Sequence, residues 1–169
     1  MFGRKTRIGL ALAAGLCIAT PAQAAMSCWN QTQVAAAQIR DLQSRLMVAS
    51  LRCVAMGQDV TPAYNRFVRA SRETLQGANG VILAQFRAGH GGEAQLHYDR
   101  FATALANAYG AGATTAEICA ETAQLAEEAA AAAGDVRRLV QIAERLGVAP
   151  SLPGGHCAIS FASMAASPN

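Results

Sequence analysis

The stretch "AEICAETAQLAEEAAAAAGDVRRLVQIAERLG", residues 116–147, decides the fold. Ile118, Thr122, Leu125, Ala129, Ala132, Val136, Leu139, Ala143 and Leu146 recur in steps of four and three. That spacing lines one face of a helix. The phase runs straight through Gly134-Asp135, where a break would usually reset it. One long helix is therefore expected, kinked at most at Gly134. The alanine run strongly favours helix and lets neighbouring backbones approach closely. Thr114 and Glu117 make a capping-box pattern at its start. Glu117 and Glu121 near the beginning and Arg145 near the end suit the helix dipole.

Three further helices are expected upstream. In the first, from about Asn30 to Met56, Ala35, Ile39, Leu42, Leu46, Ala49 and Cys53 share one face, and Gly57 ends it. The second opens with Thr61 as N-cap and Pro62 at the first helical position. It is expected to run unbroken to about Arg87, with Phe67, Leu75, Ile82 and Phe86 buried. Gly77 and Gly80 inside it each cost up to about 1 kcal/mol relative to alanine, so they should mark close packing or a bend. "AGHGG" (88–92) reads as a flexible connection to a third helix, Glu93 to Tyr109. Pro150 and Pro153 begin a non-helical tail. The expected fold class is all-α: an up-down-up-down four-helix bundle with a short non-helical C-terminal segment.

A signal peptide is expected to precede it. Arg4, Lys5 and Arg7 are followed by the apolar run Ile8 to Thr20 and by "PAQA", which ends in a small-x-small pattern. Cleavage is expected before Ala25. The run is too short to span a membrane, which takes about 20 residues. A lipoprotein reading through Cys17 would want a small residue where Leu16 stands. The domain reading is thus 1–24 signal peptide, 25–162 single helical domain and 163–169 disordered C-terminus. The expected location is periplasmic or secreted, with no membrane span after cleavage.

Of 14 Lys+Arg and 11 Asp+Glu, three basic residues leave with the signal, so eleven of each sign remain. That balance gives no argument for a nucleic-acid partner. The signs are segregated. Residues 30–88 carry seven arginines against Asp41, Asp59 and Glu73, and residues 93–146 carry eight acids against four arginines. Packed helices of complementary charge explain this most simply.

Four cysteines remain after the signal: Cys28, Cys53, Cys119 and Cys157. An even number in an oxidising compartment favours two disulfides. Cys28 and Cys53 flank the first helix, roughly 37 Å apart along its axis and beyond bridging distance. Cys119 starts the last helix at the Cys53 end, and Cys157 follows it back at the Cys28 end. The expected pairs are Cys28–Cys157 and Cys53–Cys119. This makes Cys157, beside His156 in "LPGGHCAIS" (152–160), half of a staple rather than a nucleophile.

Chemistry-bearing constellations are otherwise sparse. His90, His97 and His156 form no His-x3-His spacing, and the cysteines form no Cys-x2-Cys spacing, so no metal site is expected. "HGGE" (90–93) reads as a hydrophilic loop. No Cys-x-x-Cys-His motif attaches haem, and Met26, Met56 and His97 read as ordinary core or flanking residues. "GANG" and "GHGG" lack the strand-turn-helix setting of a phosphate loop. Tyr64, Phe67, Tyr98 and Phe101 have core spacing, and Trp29 should pack over the Cys28 bridge. No catalytic residue and no cofactor is expected, and the chain does not read as an enzyme. The leading reading is a non-enzymatic binding protein with a protein or envelope partner. The alternative is a small-ligand or cofactor carrier that uses the bundle interior.

"CWNQT" (28–32), "RLMVASLRC" (45–53), "YNRFV" (64–68) and "GGHCA" (154–158) together give a resemblance. Between Cys28 and Ala158 the chain resembles small exported bacterial proteins, alanine-rich and helical, with similarly placed cysteines. The resemblance implies the export and the helical fold, and no activity or site residues.

Overall fold

A computed structural model of the chain describes residues 28–158. The signal-peptide reading of residues 1–24 and the disordered tail at 163–169 lie outside them. The described residues are all-helical: α1 Gln31–Ala55, α2 Thr61–Ala70, α3 Arg72–His90, α4 Ala94–Ala108, α5 Ala116–Ala131 and α6 Val136–Arg145. A single 3-10 turn, Gly91–Glu93, joins α3 to α4 in place of the expected flexible loop.

Helix α1 is the centre and packs against each of the other five. Asn30 starts it with a complete capping box: its side chain accepts from the Gln33 N–H, and the Gln33 side chain accepts from the Asn30 N–H. Ile39, Leu42 and Leu46 then enter a core shared with Phe67, Ile82, Phe86, Leu139 and Ile142. Burying each such side chain contributes about 1.5–3 kcal/mol.

The two long rods expected from unbroken phase are each divided. The second breaks at Ser71, a buried residue with φ −110° and ψ 16° that separates α2 from α3. The last breaks between Ala131 and Val136. There Ala133 (φ 49°) and Gly134 (φ 79°) are left-handed, and Asp135 caps α6 by accepting from the Arg138 N–H at 3.0 Å. The turn is locked from α3, where Thr74 Oγ1 donates to the Gly134 carbonyl at 2.6 Å. A continuous apolar phase reports which face is buried. It does not report a continuous backbone.

Gly77 and Gly80 do neither of the things expected of them. Helix α3 runs through both, and a Cβ built on either meets nothing within 4 Å. Two caps also differ from the expected residues. Thr115, not Thr114, caps α5 by accepting from the Ile118 N–H. Thr61 is already helical, and the Asp59 side chain takes its N–H.

Cys28 is bonded to Cys157 and Cys53 to Cys119, with Cα–Cα separations of 4.7 and 5.6 Å. The second bridge is fully buried beside Val60 and Ala123. At the first, Trp29 forms a parallel bridge with His156: its N–H donates to the Gly155 carbonyl, and its own carbonyl accepts from the Cys157 N–H. The Trp29 indole N–H donates to the Pro153 carbonyl at 2.8 Å, and its ring packs on Phe86 and Phe101.

Candidate binding site

Besides a cavity of about 290 Å³ around Arg45, Arg52 and Glu121, two concavities border α1 and differ in their lining. The larger is an open groove of about 410 Å³ between α1, α3 and the first residue of α6. Ala35, Ala36 and Ile39 form one wall, and Gly77, Ala78 and Val81 the other. Val136, nearly half exposed at 48%, closes one end. It stands there because the turn at Gly134 is tied to Thr74, which also lines the groove. No charged side chain lines it. The groove is open because the side chains along it are small, and at Gly77 the space a side chain would fill is empty.

The smaller cavity, about 210 Å³, lies between α1, α4 and the strap after α6, and its walls include Asp41, Phe101, Leu105, Tyr109 and Pro150. Asp41 is 2% exposed. Burial pushes its carboxyl above the ordinary range, against a hydrogen bond from the Tyr109 hydroxyl and the nearby charge of Arg45. Tyr109 is pushed up too, by burial first and then by its bond to Asp41 and that group's charge. The Arg45 guanidinium sits 5.8 Å from the Tyr109 ring centre and donates to the Leu146 carbonyl at 2.6 Å. Two turns on, Arg52 donates to the carbonyls of Tyr109, Ala111 and Gly112. These two arginines thus satisfy carbonyls left open at the C-terminal ends of α6 and α4.

That accounts for part of the basic half of the sequence. Another part meets acids directly: Arg66 of α2 pairs with Glu127 of α5. The Arg66 guanidinium holds Glu127 below the usual carboxylate range. Within the acidic half, Arg145 pairs with Glu128.

The residues weighed for chemistry are distributed as follows. Cys157 is in a disulfide and has no thiol, and His156 is exposed beside it. His90 ends α3 and His97 lies in α4; their rings stack at 3.5 Å, against Phe86. Among the described residues no group of three or more His, Cys, Asp or Glu could hold a metal ion, and no helix is long and apolar enough to cross a membrane. Met56 is half exposed. Phe67 and Phe101 are core, with Tyr64 and Tyr98 packed against it.

Sequence reasoning missed both the Asp41–Tyr109 pair and the groove. Asp41 follows Arg40, outside the apolar stripe of α1, and nothing in the spacing marks it as buried. It is buried because five helices surround α1. The chain matches no protein-family model, and no curated protein or solved structure matches it.

Proposed function

We propose that the protein is exported to the periplasm or beyond and acts by binding a small apolar ligand in the α1–α3 groove, without catalysing a reaction. Two disulfides favour an oxidising compartment, in keeping with the signal pattern of residues 1–24. Taking α2–α3 and α5–α6 as two bent rods, we read the fold as a four-helix bundle stapled near both ends.

The observation that carries the reading is the groove itself. Its 410 Å³ falls within the range of about 300–1,000 Å³ typical of small-molecule sites. Its uncharged, small-residue walls suit a compact apolar body. A protein partner would need a broader surface. Exposed Leu51, Val54 and Met56 near the end of α1 are the apolar residues most available for one.

The neutral apolar fluorophore diphenylhexatriene tests the site. The reading predicts saturable, one-to-one binding with enhanced emission. Unsaturable partitioning or no binding would remove the groove as a ligand site. Export is tested separately: the N-terminus of the exported protein should be Ala25.

A further inference from the structure

The groove between α1 and α3 ends beside the Cys28–Cys157 staple. Gln31 and Thr32, at the start of α1, line it, and its last lining residue on α3 is Val81. Gln85 follows Val81 by four residues and continues the same face of α3 one turn further on. The Gln85 side-chain amide donates to the Cys28 carbonyl at 3.4 Å, and its oxygen accepts from the Gln33 side chain at 2.8 Å. The staple is therefore tied to both helices that wall the groove.

The chain leaves this staple in a defined direction. Trp29 and His156 form a parallel bridge, and the Cys157 N–H donates to the Trp29 carbonyl. Cys157 thus stands level with the start of α1 and runs the way α1 begins. "ISFA" (159–162) follows, beyond the described residues. Ile159 and Phe161 alternate with Ser160, which on an extended chain puts both apolar side chains on one side. The four steps from Cys157 to Phe161 cover about 13 Å when extended. The α1 wall from Gln31 to Ile39 is about 12 Å long.

We propose that in the ligand-free protein the groove is occupied by the chain's own segment 159–161, which an apolar ligand must displace. Phe161 fills the space left open at Gly77, and Ile159 lies nearer Val81. The groove has no charged lining, and the segment carries no charge. The staple holds the segment at the groove's end, at an effective concentration on the order of millimolar. The proposal rests on the groove accepting apolar groups, as the proposed function does, and its first test uses no ligand.

That test is nuclear Overhauser contacts in the ligand-free exported chain. The Phe161 ring should contact the Ala35 and Ala78 methyls and the Gly77 α-protons. Absence of these contacts would overturn the proposal. So would contacts found only between separately labelled chains, which would place a second copy's segment in the groove. Diphenylhexatriene supplies the second arm. With the segment in place about nine-tenths of the time, Phe161→Ala should bind the probe about tenfold more tightly than the parent, with the core amide resonances unmoved. Equal, saturable affinity of the two chains would overturn the proposal and leave the groove as a ligand site. Phe161 contacts with no probe binding by either chain would support the segment and remove the ligand reading instead.

Discussion

Gly77 in α3 and Gly134 between α5 and α6 both sit inside long helical patterns, with alanine close by. At Gly134 the backbone is left-handed, and an added Cβ would lie 2.8 Å from Thr74 Oγ1. Thr74 cannot move aside without losing its bond to the Gly134 carbonyl. Here glycine supplies a conformation and a close approach together. At Gly77 the backbone is ordinary helix and the added Cβ meets nothing. Glycine there lowers helix stability by about 0.5–1 kcal/mol relative to alanine and gains no turn, bend or close approach. What its missing side chain leaves is room in the groove. The same residue type thus ends a helix in one place and hollows a surface in the other. Its neighbours decide which: Asp135 and Thr74 wait at Gly134, and nothing waits at Gly77.

This contrast can be broken experimentally. It assumes that α5 and α6 are held independently of the turn between them. The largest effect should come from the staple at the start of α5. By the chain-entropy model, Cys53→Ser should lower unfolding free energy by about 4 kcal/mol. Cys119→Ser should match it and the double mutant add little, since all three remove one bond. Denaturant titration would expose strict additivity, which would mean that the cysteines act separately.

Gly134→Ala should come next, at about 2 kcal/mol destabilising, from the left-handed backbone and the encounter with Thr74. A neutral result would mean that the turn relaxes into continuous helix. Asp135→Ala removes only the α6 cap and should cost about 1 kcal/mol. Amide exchange should localise that loss to the first turn of α6. Gly77→Ala should have the smallest effect and the opposite sign, a gain of about 0.5–1 kcal/mol read as a higher melting temperature. Any loss at Gly77 would show a packing role there and end the contrast.

Much of the helical layout was legible because apolar spacing is a direct record of burial. Helix α1 begins one residue after Asn30 and ends one before Met56, close to where its stripe and Gly57 place it. The break at 132–135 had visible signs, a glycine followed by a capping aspartate. They were outweighed by an apolar phase that survives because Ala129, Ala132, Leu139 and Ala143 all enter the same core. The break at Ser71 carries no glycine or proline, so local chemistry gave no warning of it. The groove was illegible for another reason. It is made of absent side chains, and alanine and glycine in a helix read equally well as close packing. Only the positions of the opposing walls distinguish contact from space.

The proposed ligand role of the groove rests on the space left at Gly77. The most direct test compares Gly77→Leu with Gly80→Leu in diphenylhexatriene titration and thermal melting. Gly80 is also open to an added Cβ but does not line the groove. Both variants should melt at or above the parent temperature, Gly80→Leu should bind the probe normally, and Gly77→Leu should no longer bind it saturably. Undiminished binding by folded Gly77→Leu would contradict that role.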